Sequence, residues 1–365
     1  MKKYVISLMF VYVTLFIQAH GNSVLIYGTN NTLWMKAVFE KFDIPYQEVA
    51  SLVKTDDSNL YLISNLHEIP KESLPSHFIA YQTLDLVNSP LTDDYIDKLS
   101  RAVAVWDSSW KNIGIYRSQV HNFYYFPENY EYADPVILSC RLPVETLVSY
   151  KQLLCYSNTN LSDISSHLPT IYAYTILQNA DMIIEAGVRG ADSTKAFAEA
   201  MNFSNAMLIG LDIVDCSGTL YSKMKNTQLL QMDDLLFSEY YQSNDNLKNH
   251  SIDIIFIDTS HYYDHTLAEI SQFAPMLAKN GFLLFHDSHM SPLNNLHSWY
   301  CIEGSVFGTG GWDNQKGVIR AIKDYFSLSY DETQYHNFNF MHNGIKWHLI
   351  HYPFCNGLTF VKKLT

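Results

Sequence analysis

The chain has 365 residues, of which 47% are hydrophobic, and this length suits two domains with substantial cores better than one. It carries 24 Lys and Arg against 37 Asp and Glu, and the resulting formal net charge of −13 opposes binding to the phosphate backbone of a nucleic acid. The five cysteines are an odd number at irregular spacing, which fits neither a disulfide framework nor a paired set of metal-binding cysteines.

The N-terminus, residues 1–21, has the pattern of a signal peptide or membrane anchor. Two lysines precede an apolar run, Val5–Ala19, that ends in small residues suited to cleavage. Residues 4–19 are then expected to associate with a membrane, and the protein to be membrane-associated or secreted. The alternatives are a buried strand of a cytoplasmic protein or a mis-assigned start.

Residues 22–135 predict a small α/β domain. A strand at Val24–Gly28 is followed by an amphipathic helix at Leu33–Phe42, and apolar segments then alternate with helical stretches such as Asp93–Ser100. These further apolar segments are Leu60–Ile63, His77–Tyr81, Ala102–Trp106 and Asn112–Tyr116. The domain contains no glycine-rich turn and no spacing typical of metal ligands.

One stretch of this domain, FIAYQTLDLVNSPLTDDYIDKLSRAVAVWDSSWKNIGIY (78–116), resembles part of a sugar-transferase-like domain found in bacterial glycan-modifying proteins. The resemblance implies a sugar-transferring role for the domain. A structural or acceptor-positioning domain with no chemistry of its own is the other interpretation.

Residues 145–365 predict a second α/β domain, after a crossing segment at Asn129–Pro143. Helices are predicted at Val144–Leu154 and at Leu168–Gln178, the latter capped by Ser162 and Asp163. Its first five strands are apolar runs that each end at or next to an acid: Met182–Ile184 at Glu185, Met207–Leu211 at Asp212, Gln228–Met232 at Asp233 and Asp234, Ile252–Ile257 at Asp258, and Phe282–Phe285 before Asp287.

Ligands of an open parallel sheet bind beyond the carboxyl ends of its strands, so these acids are site candidates. A helical pattern lies between the two strands Ile252–Ile257 and Phe282–Phe285, and it predicts a right-handed crossover. The chain closes with Lys346–His351 and Leu358–Lys362, which predict an antiparallel hairpin.

The motif EAGVRGADS (185–193) lies between a predicted strand and the predicted helix Thr194–Met201, which is the context of a nucleotide-binding glycine turn. Glu185 stands where such turns have their first glycine. A carboxylate there repels a pyrophosphate and suits a ligand with hydroxyls and a cationic group, such as S-adenosylmethionine. Asp212 is placed to accept hydrogen bonds from ribose hydroxyls. A tight turn without a ligand is the alternative.

With these motifs, residues 160–365 resemble class I S-adenosylmethionine-dependent methyltransferases, and in particular bacterial sugar O-methyltransferases and cephalosporin-hydroxylase-like proteins. The resemblance rests on SDISSHLPTIYAYTI, IIEAGVRGADST, IGLDIVD, IDIIFIDTSHYYDH, GFLLFHDS and NGLTFVKK. It implies a Rossmann-like domain whose mostly parallel, seven-stranded sheet ends in a C-terminal antiparallel hairpin. The donor contacts that it implies are Glu185, Gly187, Gly190 and Ser193 around the methionine end, Asp212 at the ribose, and Asp233 or Asp234 near the adenine.

The resemblance also implies that Asp258 and Asp287 bind Mg²⁺ or Mn²⁺ and that His261 is the catalytic base. Carboxylate oxygens suit a hard cation, and a neutral imidazole with a pKa of about 6.5 takes a proton from a hydroxyl beside it. His286 stands where some relatives have an acid and is a poorer ligand for Mg²⁺, so that water completes the shell or the metal is different or absent. The alternative is structural: Asp258 caps the following helix, and Asp287 pairs with His286.

The whole pattern predicts an O-methyltransferase that acts on a hydroxyl of a sugar or glycoconjugate. The alternative is a glycan-binding or glycosyl-transferring protein in which the second domain is a non-catalytic methyltransferase-like module. If Gly187 lets the backbone approach the donor, Gly187→Val should abolish donor binding and leave the fold intact.

Overall fold

The computed structural model describes residues 24–28, 32–41, 43–52, 58–82, 91–107, 112–113, 116, 118–125, 138–160, 162–289, 317–353 and 355–365. The predicted leader, residues 1–21, lies outside these ranges, as does most of the predicted crossing segment. Within the described ranges, no helix is both long and apolar enough to cross a membrane. The chain divides into two compact units, Met1–Gln152 and Leu153–Thr365. This division lies a few residues after the predicted start of the second domain at 145.

The first unit is built on a sheet of six parallel strands in the order β2-β1-β3-β4-β5-β6. Its elements are β1 (Val24–Tyr27), α1 (Thr32–Lys41), β2 (Tyr46–Glu48), β3 (Tyr61–Ile63), β4 (Phe78–Gln82), α2 (Asp93–Arg101), β5 (Ala104–Asp107) and β6 (Phe123–Tyr125). The strand order reverses between β1 and β3, as in doubly wound folds. The prediction of a small α/β domain is confirmed.

One apolar segment of the first unit does not form a strand. Asn112, Ile113 and Tyr116 are helical, and the sixth strand lies later, at β6. Ile113 and Tyr116 are three residues apart and both buried, which is the spacing of one helix face and not of a strand. The side chain of Asn112 donates to the buried Asp107 at 3.1 Å.

The second unit is built on an eight-stranded mixed sheet in the order β12-β13-β14-β11-β10-β7-β8-β9. A helix that spans the division between the units, α3 (Leu147–Thr159), precedes it. The further elements are α4 (Leu168–Gln178), β7 (Met182–Ala186), α5 (Thr194–Met201), β8 (Met207–Asp212), β9 (Thr227–Gln231), α6 (Phe237–Ser243), β10 (Ile252–Ile257), α7 (Tyr263–Met276), β11 (Leu277–His286), α8 (Gly317–Phe326), β12 (His336–His342), β13 (Ile345–Tyr352) and β14 (Leu358–Lys363).

Strands β7 to β11 are parallel, and counted from β7 they stand in the order 3-2-1-4-5. β7 and β10 are neighbours inside the sheet, and their residues are buried almost without interruption. This explains why both sequences are mostly apolar and do not alternate. The order is that of a Rossmann-like sheet, and it brings the carboxyl ends of the five strands to one edge.

The C-terminal part of the sheet has one strand more than the seven that the sequence predicted. The predicted hairpin is present, because β13 pairs antiparallel with β14, which in turn pairs with β11. The additional strand, β12, pairs with β13 through a two-residue turn at Asn343 and Gly344, where both residues have positive φ. Its burial alternates along its length, as in a strand with one covered face.

The start of α4 also differs from the prediction. Ser162 and Asp163 do not cap it, because a 3₁₀ turn, Ser165–His167, lies between them and the helix. Pro169 occupies the first turn, where its missing N–H costs no hydrogen bond. The helix ends at Asn179 in the left-handed conformation, as helices often do.

Candidate functional site

A cavity of about 410 Å³ opens at the carboxyl ends of β7, β8, β9 and β10, and this volume suits a small-molecule ligand. Most of the residues that the sequence predicted line this cavity: Gly187, Gly190, Ser193, Asp212, Asp233, Asp234, Asp258 and His261. Two predicted residues, Glu185 and Asp287, are not on its wall. The parallel sheet therefore brings the predicted donor loop and the predicted base to the same space.

Glycine is required at position 187 because the backbone there passes close to the backbone at the end of β10. Its φ is +86°, and a Cβ there would lie 1.9 Å from the carbonyl oxygen of Asp258. A side chain at Gly187 would therefore collide with the backbone at the end of β10 before it reached a ligand. The expectation that Gly187→Val leaves the fold intact is wrong for this reason. Gly190 differs, since no atom lies within 4 Å of a Cβ built there.

Glu185 lies beneath the cavity and anchors the loop above it. The carboxylate is fully buried and accepts hydrogen bonds from Ser193 at 2.6 Å, from Thr194 at 2.8 Å and from Tyr221 at 2.6 Å. Burial raises the pKa of Glu185 to about 7 although these three donors favour the ionised form. Glu185 does not line the cavity and its carboxylate is surrounded by protein donors, so its direct contact with the donor stays a prediction. Tyr221 was not foreseen, and no sequence pattern marks it.

The side chain of Asp212 links the predicted donor loop, which contains Gly187 and Gly190, to the end of β8. Its Oδ2 accepts from the backbone N–H groups of Val188 and Arg189, each at 2.9 Å, and its Oδ1 accepts from that of Val214 at 2.9 Å. Beyond Asp212 the cavity wall continues with Ile213 and Val214, which are 73% and 62% exposed. A carboxylate beside exposed apolar side chains suits a ligand with hydroxyls next to a flat apolar ring.

Asp233 and Asp234 are neighbours in sequence but differ in environment. Asp233 is exposed and caps the following 3₁₀ turn by accepting from the N–H of Leu235 at 3.0 Å. Asp234 is buried, and its Oδ1 lies 3.1 Å from Nε2 of His265. Asp233 is therefore the more accessible of the two to a ligand in the cavity.

Asp258, His261 and Asp287 come together at the ends of β10 and β11. Nε2 of His261 lies 3.1 Å from Oδ1 of Asp258 and 2.9 Å from Oδ2 of Asp287. Burial alone would lower the pKa of His261, but hydrogen bonds and charge from the two carboxylates raise it to about 10. His261 and Asp287 also have left-handed backbone, with φ of 60° and 53°. The imidazolium therefore occupies a position between the carboxylates that a metal ion could also take.

His286 faces the same two carboxylates. Its Nδ1 lies 3.4 Å from Oδ1 of Asp258 and 3.4 Å from Oδ2 of Asp287, and its Nε2 lies 3.1 Å from the carbonyl oxygen of Asp163. Burial would lower the pKa of His286, but the charges of Asp287 and Asp258 raise it well above its ordinary value. Cys355 donates from Sγ to the same carbonyl oxygen at 3.0 Å. Asp163 and Cys355 were not foreseen in this role.

These residues fit a divalent cation. One potential ligand atom from each of Asp258, His261 and Asp287 lies within 4.8 Å of the others. Two further atoms, Oδ1 of Asp287 and Nδ1 of His286, are buried without a hydrogen-bond partner. A histidine that ligates a metal generally donates its other ring N–H to a carbonyl or carboxylate, as His286 does towards Asp163.

Comparison with known proteins gave one family match: residues 184–288 match the family described as a methyltransferase domain. Similar solved structures include an O-methyltransferase from Bacillus cereus in complex with SAH, which is 12% identical, with 59% of this chain and 90% of that chain covered and a TM-score of 0.37. Another is CalS11, a TDP-rhamnose 3′-O-methyltransferase of calicheamicin biosynthesis, with 15% identity, 64% and 94% coverage and a TM-score of 0.36.

A third is the MycE methyltransferase of the mycinamycin pathway in complex with Mg, SAH and mycinamycin VI, with 16% identity, 64% and 61% coverage and a TM-score of 0.35. No curated protein matches the chain in sequence. The family match runs from within β7 to just beyond β11 and so contains the five parallel strands and the cavity that they form. The part of the second unit that carries the parallel strands therefore matches a methyltransferase domain, on a sheet with the Rossmann-like strand order.

Proposed function

We propose that this protein transfers a methyl group from S-adenosylmethionine to a hydroxyl of a sugar, with His261 as the base and a divalent cation beside it. The observation that carries the proposal is the convergence of Asp258, His261 and Asp287 next to the cavity that the donor loop lines. An acceptor that enters this cavity towards His261 would face the donor. The geometry thus supports deprotonation and methyl transfer in one enclosed space.

Asp258, Asp287 and His286 would hold the cation. Their ligand atoms are carboxylate oxygens and one imidazole nitrogen, and this mixed set favours Mn²⁺ over Mg²⁺, which prefers oxygen ligands alone. When bound, the cation would supply positive charge that lowers the pKa of an acceptor hydroxyl and of the neighbouring imidazole.

His261 would take the hydroxyl proton at Nε2 while the acceptor oxygen forms its bond to the methyl carbon. The bond between that carbon and the donor sulfur breaks, its electron pair goes to sulfur, and S-adenosylhomocysteine leaves. Only a neutral imidazole can take this proton. With a pKa of about 10 set by the two carboxylates, His261 is protonated at neutral pH, so the reaction needs their charge to be compensated.

One surface of the cavity and one exposed ring next to it suit the two substrates. Ile213 and Val214 offer an exposed apolar wall to the adenine, and Asp212 lies where it can accept from the ribose hydroxyls. Tyr262 directly follows His261 and is 54% exposed, and such an aromatic ring offers a stacking surface to a sugar. The formal charge of −13 favours a neutral acceptor over an anionic one.

The test is methyl transfer from labelled S-adenosylmethionine to a panel of methyl glycosides, before and after treatment with chelator. Chelator should remove activity, and Mn²⁺ should restore it. Asp258→Asn should have the same effect as chelator, while His261→Gln should lower turnover by ~10²- to 10⁴-fold, as expected for loss of a general base.

Asp264→Asn is the matched control, because Asp264 is an exposed acid in the first turn of α7 and should tolerate the same change of charge. Calorimetry should show that Asp258→Asn and His261→Gln still bind the donor. Undiminished turnover in excess chelator would rule out the metal, and transfer to phenols but to no glycoside would rule out the sugar acceptor.

A further inference from the structure

A second cluster of the same composition lies on another wall of the cavity. Asp234 follows β9, while His265 and Glu269 lie four residues apart on one face of α7. Nε2 of His265 is 3.1 Å from Oδ1 of Asp234 and 3.6 Å from Oε1 of Glu269. One potential ligand atom from each residue lies within 4.8 Å of the other two.

Two carboxylate oxygens of this cluster are buried without a partner. Glu269 is fully buried and Asp234 is 6% exposed, yet Oε2 of Glu269 and Oδ2 of Asp234 have no hydrogen-bond partner. Among the described residues, neither carboxylate forms an ion pair with lysine or arginine. A buried carboxylate is costly unless it is paired, protonated or bound to a metal. When both are ionised, one imidazolium leaves the cluster one positive charge short.

We propose that Asp234, His265 and Glu269 form a second divalent cation site, distinct from the site at Asp258 and Asp287. Two carboxylates and one imidazole suit Mn²⁺, Fe²⁺ or Zn²⁺ better than Mg²⁺. Asp234 and His265 both line the cavity, which gives an ion a path from solvent. The site joins the end of β9 to α7 and thereby fixes the cavity wall that carries Asp233.

The two sites are adjacent but have separate ligands. Thr259, which directly follows Asp258, donates to Oε1 of Glu269 at 2.6 Å. This bond holds one oxygen of Glu269 in place and leaves Oε2 for the cation. The competing explanation is a proton shared between Glu269 and Asp234, which would satisfy both unpartnered oxygens without any metal.

Titration of the full chain with Mn²⁺ alone, followed by electron paramagnetic resonance of the free ion, distinguishes these explanations. Wild type should bind two ions, the double variant Asp258→Asn with Asp287→Asn should bind one, and Glu269→Gln should also bind one. Combining all three substitutions should leave none. Asp264→Asn is the control and should bind as wild type does.

Glu269→Gln suits this test because it preserves the fold under either explanation. Its amide oxygen can still accept from Thr259, and its amide N–H can donate to Oδ2 of Asp234 in place of a shared proton. The proposal is overturned if Glu269→Gln binds as many ions as wild type, or if the double variant at Asp258 and Asp287 binds none. If wild type binds one ion and that ion depends on Glu269, the second cation site is supported and the cation of the proposed reaction is refuted.

Discussion

The buried carboxyl of Glu185 should make the stability of the second unit depend on pH. In the folded protein its pKa is about 7, while an unfolded chain has the ordinary value of about 4.5. The folded state therefore holds this proton more tightly, and stability falls as pH rises from about 4.5 to 7. One pKa unit corresponds to about 1.4 kcal/mol, so the loss from this carboxyl is about 3 kcal/mol by pH 8.

Glu185→Gln removes this titration and keeps the hydrogen bonds. The amide oxygen can accept from Ser193 and Thr194, and the amide N–H can donate to the hydroxyl oxygen of Tyr221. In urea unfolding followed by circular dichroism, the stability of the variant relative to wild type should therefore increase by about 3 kcal/mol between pH 4.5 and pH 8. Since Glu185 does not line the cavity, the affinity for S-adenosylmethionine should change less than tenfold.

The exposed Glu239 on α6 provides the control, and Glu239→Gln should leave the pH dependence of wild type unchanged. A difference between Glu185→Gln and wild type that stays constant from pH 4.5 to pH 8 would refute the reasoning. It would mean that the three donors stabilise the carboxylate as fully as water does.

Two further predictions concern stability. Gly187→Ala should destabilise the protein by more than about 3 kcal/mol in thermal unfolding, because its Cβ would lie 1.9 Å from the carbonyl oxygen of Asp258. Gly190→Ala should change stability by less than about 1 kcal/mol, because no atom lies within 4 Å of its Cβ. Equal effects of the two substitutions would contradict the packing argument. Burial lowers the pKa of His351 to about 3, so the unfolded chain binds this proton more tightly and stability should be lost as pH falls from about 6.5 to 3. His351→Gln should reduce that loss by about 4 kcal/mol in unfolding measured at pH 7 and at pH 4 or below, and an unchanged acid dependence would contradict it.

The parallel strands and the convergence of their acids could be predicted because both depend on local patterns. The run Ile254–Ile257 is apolar throughout, since an inner parallel strand is covered on both faces. Once the strands are placed, the rule that their carboxyl ends share one edge brings Asp258 and Asp287 together without any further information.

The additional strand β12 could also have been found from the sequence. The dipeptide Asn343-Gly344 is the strongest short signal of a two-residue hairpin turn, and alternating residues such as Phe338 and Phe340 precede it. This turn signal indicates an eighth strand beside the seven predicted ones.

Other parts of the site depend on contacts between distant residues, and no local pattern encodes these. Glu185 is oriented by Tyr221, 36 residues later, and His286 by the carbonyl oxygen of Asp163, 123 residues earlier. A carboxylate at the end of a strand has the same local sequence whether it faces a ligand or the protein interior. Only the packed structure distinguishes these two cases for Glu185.

The left-handed backbone at His261 and Asp287 restricts which amino acids these two positions can accept. Asn, Asp and His enter this conformation more readily than most residues, and β-branched residues are strongly disfavoured there. An alanine substitution at either position thus changes the backbone preference together with the side chain, whereas Asp287→Asn changes the charge alone. Related proteins that have the same backbone conformation at these two positions but do not catalyse the reaction are accordingly expected to carry asparagine or glycine there.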